Sequence, residues 1–152
     1  MPSHIVYIGL GSNLGEGPKN LDTAIGYLQR EAGEVLFTAD YIESEPWGFE
    51  SEHGFTNSVT VIRTTLEPLE LLDVTQQIER QMGRTHKHKP GENYQDRIID
   101  LDLLLFDDLQ LQTPRLTLPH PLIEKRDFVR LPLQQCRETI KQLIIINEID
   151  NN

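Results

Sequence analysis

The fold is decided by the stretch Arg97-Ile98-Ile99-Asp100-Leu101-Asp102-Leu103, which combines an apolar strand with two acids. Successive side chains of a strand point to opposite faces, so Asp100 and Asp102 share one face. The other, apolar face is predicted to hold Ile99, Leu101, Leu103 and Leu105. The two carboxylates are then ~7 Å apart along the strand, a spacing that suits holding one divalent cation or a pair of them. A strand with a solvated polar face is the alternative, although Asp is a poor strand former and two of them require a reason.

Length and charge restrict the classes of protein to consider. The chain has 152 residues, so we expect one domain spanning residues 1–152. Its formal net charge of -10 argues against a protein that coats nucleic acid or an anionic membrane. A local basic region nevertheless lies between residues 84 and 130, and it suits a small phosphorylated ligand. Its basic residues are Arg84, Lys87, Lys89, Arg97, Arg115, Lys125, Arg126 and Arg130.

The sequence shows no pattern typical of secretion or membrane insertion. The single cysteine, Cys136, excludes an internal disulfide, and the first residues lack the apolar core and basic flank of a signal peptide. Because no apolar run approaches the length needed to span a bilayer, we expect a soluble, cytoplasmic protein.

Hydrophobic periodicity predicts the element order strand, helix, strand, strand, helix, strand. The predicted strands are residues 4–10, 35–41, 58–64 and the stretch from Arg97, and the predicted helices are residues 18–32 and the segment between Pro68 and Gly83. This order is typical of a ferredoxin-like βαββαβ core with helices on one face of the sheet, so the predicted fold class is α+β. The tail adds a short C-terminal hairpin strand at 109–112 and a helix at about 123–136. The segment after Thr139 is ambiguous between helix and strand.

The glycine-rich stretch at residues 9–17 matches neither common nucleotide fingerprint. A dinucleotide fingerprint needs glycine where Leu14 stands, and the pattern Gly-x-x-x-x-Gly-Lys-Ser/Thr does not occur. These glycines either turn the chain into the first helix or form a binding loop of another design. We expect loops 11–17, 43–54 and 84–96 to flank the site and to be mobile without ligand, and we expect ligand binding to order the third.

Five motifs, taken in their order along the chain, resemble the 6-hydroxymethyl-7,8-dihydropterin pyrophosphokinase family. The motifs are Gly11-Ser12-Asn13-Leu14-Gly15, Phe55-Thr56-Asn57, Gly83-Arg84, Arg97 through Asp102, and Pro119-His120-Pro121 followed by Arg126-Asp127-Phe128-Val129. The resemblance covers residues 4 to 135 and agrees with the ferredoxin-like prediction. It implies an enzyme of folate biosynthesis that transfers pyrophosphate from ATP to the pterin hydroxymethyl group and releases AMP.

The resemblance also implies an ATP side of the site. Asp100 and Asp102 would hold two Mg²⁺ ions with ATP, and such ions compensate the charge of the triphosphate. Arg97 would bind phosphate through a charge-assisted fork, with Arg84 as a second catalytic candidate. The remaining ATP-binding candidates are Leu103, Arg115, Thr117 and His120. Without the resemblance, His120 would be read as a turn residue and Arg84 as part of a solvated loop.

The pterin side is implied by a different set of residues. A flat bicyclic ring is held well between two aromatic faces and identified by hydrogen bonds at its edge. By resemblance, Phe55 and Phe128 are those faces, Asn57 supplies edge hydrogen bonds, and Ser44 and Trp47 come from the intervening loop. Either phenylalanine could instead belong to the core, whereas a buried Asn57 amide would require partners.

Two other classes of protein remain open from the sequence. A ferredoxin-like regulatory module could bind a small ligand without catalysis, but it would have no need of paired metal-binding carboxylates. An RNA-binding module of similar topology would require exposed aromatic residues and a positive field, which the net charge opposes. The expected partners are therefore ATP and 6-hydroxymethyl-7,8-dihydropterin, with no nucleic acid and no membrane, and we expect a monomer.

Overall fold

The computed structural model describes residues 2–44, 54–83 and 98–150, except for the side chains of 147–150. The strands are β1 His4–Ser12, β2 Glu34–Thr38, β3 Ile42–Ser44, β4 Phe55–Thr64, β5 Asp100–Phe106, β6 Leu111–Gln112 and β7 Thr117–Leu118. The helices are α1 Gly17–Glu31, α2 Pro68–Gln81 and α3 Asp127–Asp150, and a 3-10 turn at Ile123–Lys125 precedes α3. None of the described helices is long and apolar enough to cross a bilayer.

Five of the strands form one antiparallel sheet in the order β2-β4-β1-β5, with β3 beside the first residues of β4. The long pairing of β1 with β4 runs from His4 opposite Thr64 to Ser12 opposite Thr56. Residues that face each other in such a pairing lie on the same face of the sheet, so the register assigns every side chain to a face. The short strands β6 and β7 form a separate hairpin.

Helices α1 and α2 cover one face of the sheet. Each begins with proline in its first turn, which the helix tolerates because the missing N–H has no partner there, and α2 adds a capping box between Glu67 and Glu70. Their buried apolar residues are Leu21, Ala24, Leu28, Leu71, Leu72 and Ile78. They pack against Val6, Ile8, Leu10, Ile62, Leu101 and Leu103 of the sheet.

Helix α3 covers the opposite face. Its buried residues Leu133, Cys136 and Ile140 pack with Val59 and Val61 of β4 and Leu104 of β5. The sheet is thus enclosed between two helical layers. Val59 and Val61 are the β4 residues in this cluster, and the first residues of β4, from Phe55, precede them.

A bulge in β5 changes the faces of its last residues. Tyr7 pairs with Leu105 while Ile8 pairs with Leu103, so Leu104 is the extra residue. Leu103 packs in the α1 and α2 layer, whereas Leu104 and Leu105 pack in the α3 layer. The prediction that Leu105 shares a face with Leu103 is therefore wrong, because one inserted residue breaks the alternation.

The structure confirms a mixed α/β architecture with an antiparallel sheet and helices near the predicted positions. Residues Ile42–Ser44 form β3, although the sequence predicted a loop from residue 43. The ambiguous segment after Thr139 is helical, since α3 continues to Asp150. The predicted loop at 84–96 and most of the loop at 43–54 lie outside the described residues.

Candidate active site

One end of the sheet, on the side covered by α3, brings together five of the predicted site residues. Asp100 and Asn57 both pair with Gly11, from opposite sides of β1. Asp102 shares the face of Asp100, as predicted, because one residue separates them on β5. We call the α3 side of this end of the sheet the site face. Its residues are Ser44, Phe55, Asn57, Gly11, Asp100 and Asp102.

Gly11 contributes no side chain to the centre of the site face. It lies between Asn57 and Asp100, which are two strand spacings, ~10 Å, apart. A Cβ on Gly11 would lie 2.9 Å from Oδ1 of Asn57, closer than a carbon normally approaches. The missing side chain of Gly11 therefore leaves room for the Asn57 amide beside β1.

Asn57 carries a buried donor without a protein partner. Its side chain is 6% exposed, and Nδ2 makes no hydrogen bond within the part of the chain that the structure describes. Leaving such a donor unpaired costs ~1–3 kcal/mol, so its position on the site face points to a ligand that accepts the hydrogen bond.

The two carboxylates are half-buried and stand on a strand that α2 anchors. Between them, the Leu101 N–H donates to Oε2 of Glu79 over 2.8 Å. Glu79 is 8% exposed and belongs to the buried stripe of α2. Glu79 is not among the residues predicted from the sequence, although its place seven residues after Leu72 and four after Thr75 was a usable signal.

His120 is fixed in its neutral form near Asp100. Its backbone N–H donates to Leu104 O over 2.9 Å, and its Nδ1 accepts the N–H of Leu122 over 3.1 Å. A ring whose Nδ1 accepts carries its proton on Nε2, which is then a donor. Burial and the nearby Arg126 cation lower the pKa of His120, while Asp100 opposes this shift.

Phe128 lies at the second position of α3, half-buried, with the Arg126 guanidinium 5.7 Å from its ring centroid. Phe55 is also half-buried and begins β4 on the site face, opposite Ser44 of β3. Both rings are therefore partly accessible rather than fully enclosed in the core.

Three other predicted residues that the structure describes lie away from the site face. Leu103 is 2% exposed in the core beneath α1 and α2 and offers no surface to a ligand. Arg115 pairs instead with Asp73 of α2, with 2.6 Å between Nη2 and Oδ1, and Thr117 is exposed in β7. Trp47, Arg84 and Arg97 lie outside the described residues.

No cluster of three or more metal-binding side chains occurs within residues 2–44, 54–83 and 98–150. The carboxylates of Asp100 and Asp102 nevertheless fit magnesium, which is commonly held by one or two carboxylates together with phosphate oxygens of the substrate.

Comparison with known proteins identifies the family. The profile of 7,8-dihydro-6-hydroxymethylpterin-pyrophosphokinase (HPPK) matches residues 7–138. The 2-amino-4-hydroxy-6-hydroxymethyldihydropteridine pyrophosphokinase of Porphyromonas gingivalis is 48% identical over 130 residues, covering 85% of this chain and 88% of that protein. The enzyme of the same name from Bacillus subtilis is 38% identical over 142 residues, covering 92% and 83%. The chain belongs to the HPPK family.

Solved structures show the same fold in a more distant relative. A triple mutant of Plasmodium falciparum HPPK-DHPS, crystallised with SDX-DHP, aligns with a TM-score of 0.67 at 17% identity. The alignment covers 87% of this chain and 40% of that one, so the chain spans about two fifths of the solved protein.

Proposed function

We propose that this chain transfers pyrophosphate from ATP to the hydroxymethyl group of 6-hydroxymethyl-7,8-dihydropterin and releases AMP, a step of folate biosynthesis. A relative that carries the name of this activity is 48% identical to this chain over 130 residues. The observation that carries the proposal is the site face, where two carboxylates lie on one side of Gly11 and, on the other, a buried amide donor that has no partner among the described residues.

The pterin occupies the Asn57 side of the site face. A pterin edge carries ring nitrogens and a carbonyl that accept hydrogen bonds, and Nδ2 of Asn57 is a buried donor that needs an acceptor. The half-buried rings of Phe55 and Phe128 are available to stack on the bicycle, since aromatic pairs prefer offset or edge contacts. Ser44 adds a polar group beside Phe55, and Trp47 remains a predicted contact.

The triphosphate occupies the Asp100 side. Asp100 and Asp102 would hold Mg²⁺, two ions with ATP, and the ions when bound would neutralise charge on the transferred group. His120 donates from Nε2 to a phosphate oxygen, because its Nδ1 is already the acceptor of the Leu122 N–H. Arg126 adds a cation beside His120.

Several predicted ATP contacts remain predictions. Arg84 and Arg97 are expected to bind phosphate, and closure of loop 84–96 over ATP is expected to exclude water. Arg115 would have to leave Asp73 to reach a nucleotide, and Leu103 would have to become exposed to contact adenine. Thr117 requires no such rearrangement, since it is already exposed.

We further propose the ferredoxin-like topology, with residues 1–152 as one domain that is monomeric and cytoplasmic. With β3 set aside, the sheet order β2-β4-β1-β5 and its antiparallel pairings are those expected when two split βαβ units interlock. The layer of α1 and α2 on one face supports this topology, and β6, β7 and α3 are additions to it.

The test uses ³¹P NMR to measure AMP formation by the purified protein in the presence of ATP, Mg²⁺ and 6-hydroxymethyl-7,8-dihydropterin. We expect AMP only when the pterin is present, with one pyrophosphorylated pterin formed for each AMP. Omitting Mg²⁺ should abolish both products. A regulatory module would bind the pterin without forming AMP, and that outcome would overturn the proposed function.

A further inference from the structure

Gly11 stands in contact with the amide that the proposed function assigns to the pterin. It is the central residue of a row that runs from Asn57 through Gly11 to Asp100 across three strands. On the other side of Asn57 the row continues to Ile42 of β3. The Asn57 side chain is therefore bounded by neighbouring strands on both sides, and only on the β1 side does a residue without a side chain face it.

The space above Gly11 is already occupied by Asn57. A Cβ placed on Gly11 would lie 2.9 Å from Oδ1 of Asn57, and among the described residues other than the chain neighbours Leu10 and Ser12 no further atom comes within 4 Å of it. Substitution would thus push on one atom only, the amide oxygen. Since the Asn57 side chain is 6% exposed, it cannot turn into solvent without leaving the sheet.

Gly9, two residues earlier on the same face, offers a matched comparison. A Cβ on Gly9 would lie 3.4 Å from Cδ1 of Leu104, which is ordinary van der Waals contact, and none of its nearest neighbours belongs to Asn57. Both glycines pair with β4 on one side and β5 on the other. The two positions differ mainly in whether an added methyl group meets the amide.

We propose that Gly11 is a positioning residue for Asn57: its missing side chain lets Oδ1 lie over β1 and so orients Nδ2 as an unpaired donor toward the pterin edge. The part concerning the pterin rests on the proposed function. The part concerning the orientation of the amide does not, because it follows from the contact between Gly11 and Oδ1 alone.

The ligand-independent test is NMR of the Asn57 side-chain amide. Its NH₂ resonances, assigned by their loss in Asn57→Ala, should move strongly in Gly11→Ala and stay near their wild-type positions in Gly9→Ala. Equal movement in the two variants would overturn the proposal, whether or not the protein forms AMP.

The functional test is a double-mutant cycle on pterin affinity, measured by quenching of pterin fluorescence in the presence of a non-hydrolysable ATP analogue. Gly11→Ala should weaken pterin binding roughly fivefold or more, as expected for one misplaced hydrogen bond, with a smaller change in nucleotide affinity. In the Asn57→Ala background, Gly11→Ala should have little further effect, because the displaced group is gone. Gly9→Ala should instead act independently of Asn57→Ala.

Failure of the two ideas can be told apart. Absence of AMP formation by the wild-type protein refutes the proposed function, whereas additive effects of Gly11→Ala and Asn57→Ala in an active enzyme refute the role of Gly11. If Gly11→Ala does not fold, the Gly11→Ala, Asn57→Ala double variant decides. Recovery of folding supports the contact with Oδ1, and continued failure overturns it.

Discussion

His4 joins the first strand to two acids at the end of the sheet opposite the site face. Its Nδ1–H donates to Oδ2 of Asp107 over 2.7 Å, and Nε2 lies 3.5 Å from Oε1 of Glu67. The hydrogen bond to Asp107 is the main cause of a raised pKa, which desolvation partly opposes and the charges of both acids reinforce. The folded protein therefore holds the imidazolium proton more tightly than the unfolded chain does.

We expect His4 to stabilise the protein at low rather than high pH. A raised folded-state pKa gives a contribution that is complete below the unfolded pKa of about 6.5 and is lost as pH rises through the folded value. Thermal unfolding of wild type and His4→Gln between pH 5 and 9 tests this. The difference in Tm should shrink as pH rises, and a constant difference would contradict the assignment. The lowered pKa of His120 makes its contribution to stability depend on pH in the opposite direction. This contribution is the same in wild type and His4→Gln, so it cancels from the difference in Tm.

Removal of either site carboxylate should abolish turnover while leaving the fold intact. Asp100→Ala and Asp102→Ala are expected to lower kcat by about 10²-fold or more, the scale on which loss of charge stabilisation acts. Asp108→Ala, an exposed acid beyond the far end of β5, is the control. Circular dichroism should be unchanged in all three. Activity of the double Asp100, Asp102 variant equal to that of Asp108→Ala would exclude the carboxylates from the reaction.

Some residues of the candidate site could be predicted from the sequence and others could not. Asp100 and Asp102 were found because strand alternation alone places them together. Asn57 came from the resemblance, and its unpaired Nδ2 became visible only when β3, β4 and β1 were in register. Glu79 was missed because an acid in an amphipathic helix is normally assigned to the solvent face.

Glu79 ties two elements together, since α2 supplies the acceptor for a backbone donor at the edge of the sheet. Strand β5 is at the edge of the described sheet, so the Leu101 N–H has no strand partner on its outer side.

Glu79→Leu should destabilise the protein by about 1–3 kcal/mol, the cost of leaving a buried donor unpaired. Glu79→Gln retains an acceptor and should cost less. Urea unfolding measures both. The Mg²⁺ concentration for half-maximal activity should also rise more in Glu79→Leu, and equal effects of the two variants would refute the role of the acceptor.

Helices and strands with a strong hydrophobic periodicity were predicted well from the sequence. Features that depend on pairing between strands, such as β3 and the bulge in β5, were not. The apolar spacing of Leu21, Ala24 and Leu28 predicts α1 by itself. Strand β3 has only three residues, one of them an acid, and exists because Asn57 and its neighbours on β4 offer it a partner. The bulge at Leu104 leaves no trace in the sequence, because Leu103, Leu104 and Leu105 are identical in type.

At the scale of the whole molecule, the sheet lies between two helical layers, and only one of these layers could be predicted from the sequence. The layer of α1 and α2 follows from the order of elements, whereas the tail gave no indication that α3 covers the other face. The run Leu143-Ile144-Ile145-Ile146 is exposed and apolar around the whole helix, so it carries no periodic signal for a helix face. Packing of Leu133, Cys136 and Ile140 on the sheet decides the placement instead.

Cys136 can report whether the two layers unfold together. It lies on the buried face of α3, its thiol donates to Val59 O over 3.2 Å, and burial raises the pKa of the thiol to about 12. Because the thiolate is the reactive form, the folded protein should resist thiol reagents at pH 8.

The α3 layer packs on β4 and β5, whose other side chains belong to the α1 and α2 layer, so we expect a single cooperative unit. Cys136 labelling in urea should therefore rise with the same midpoint as the loss of circular dichroism. Labelling at clearly lower urea, with the dichroism of the other layer retained, would show that α3 detaches on its own.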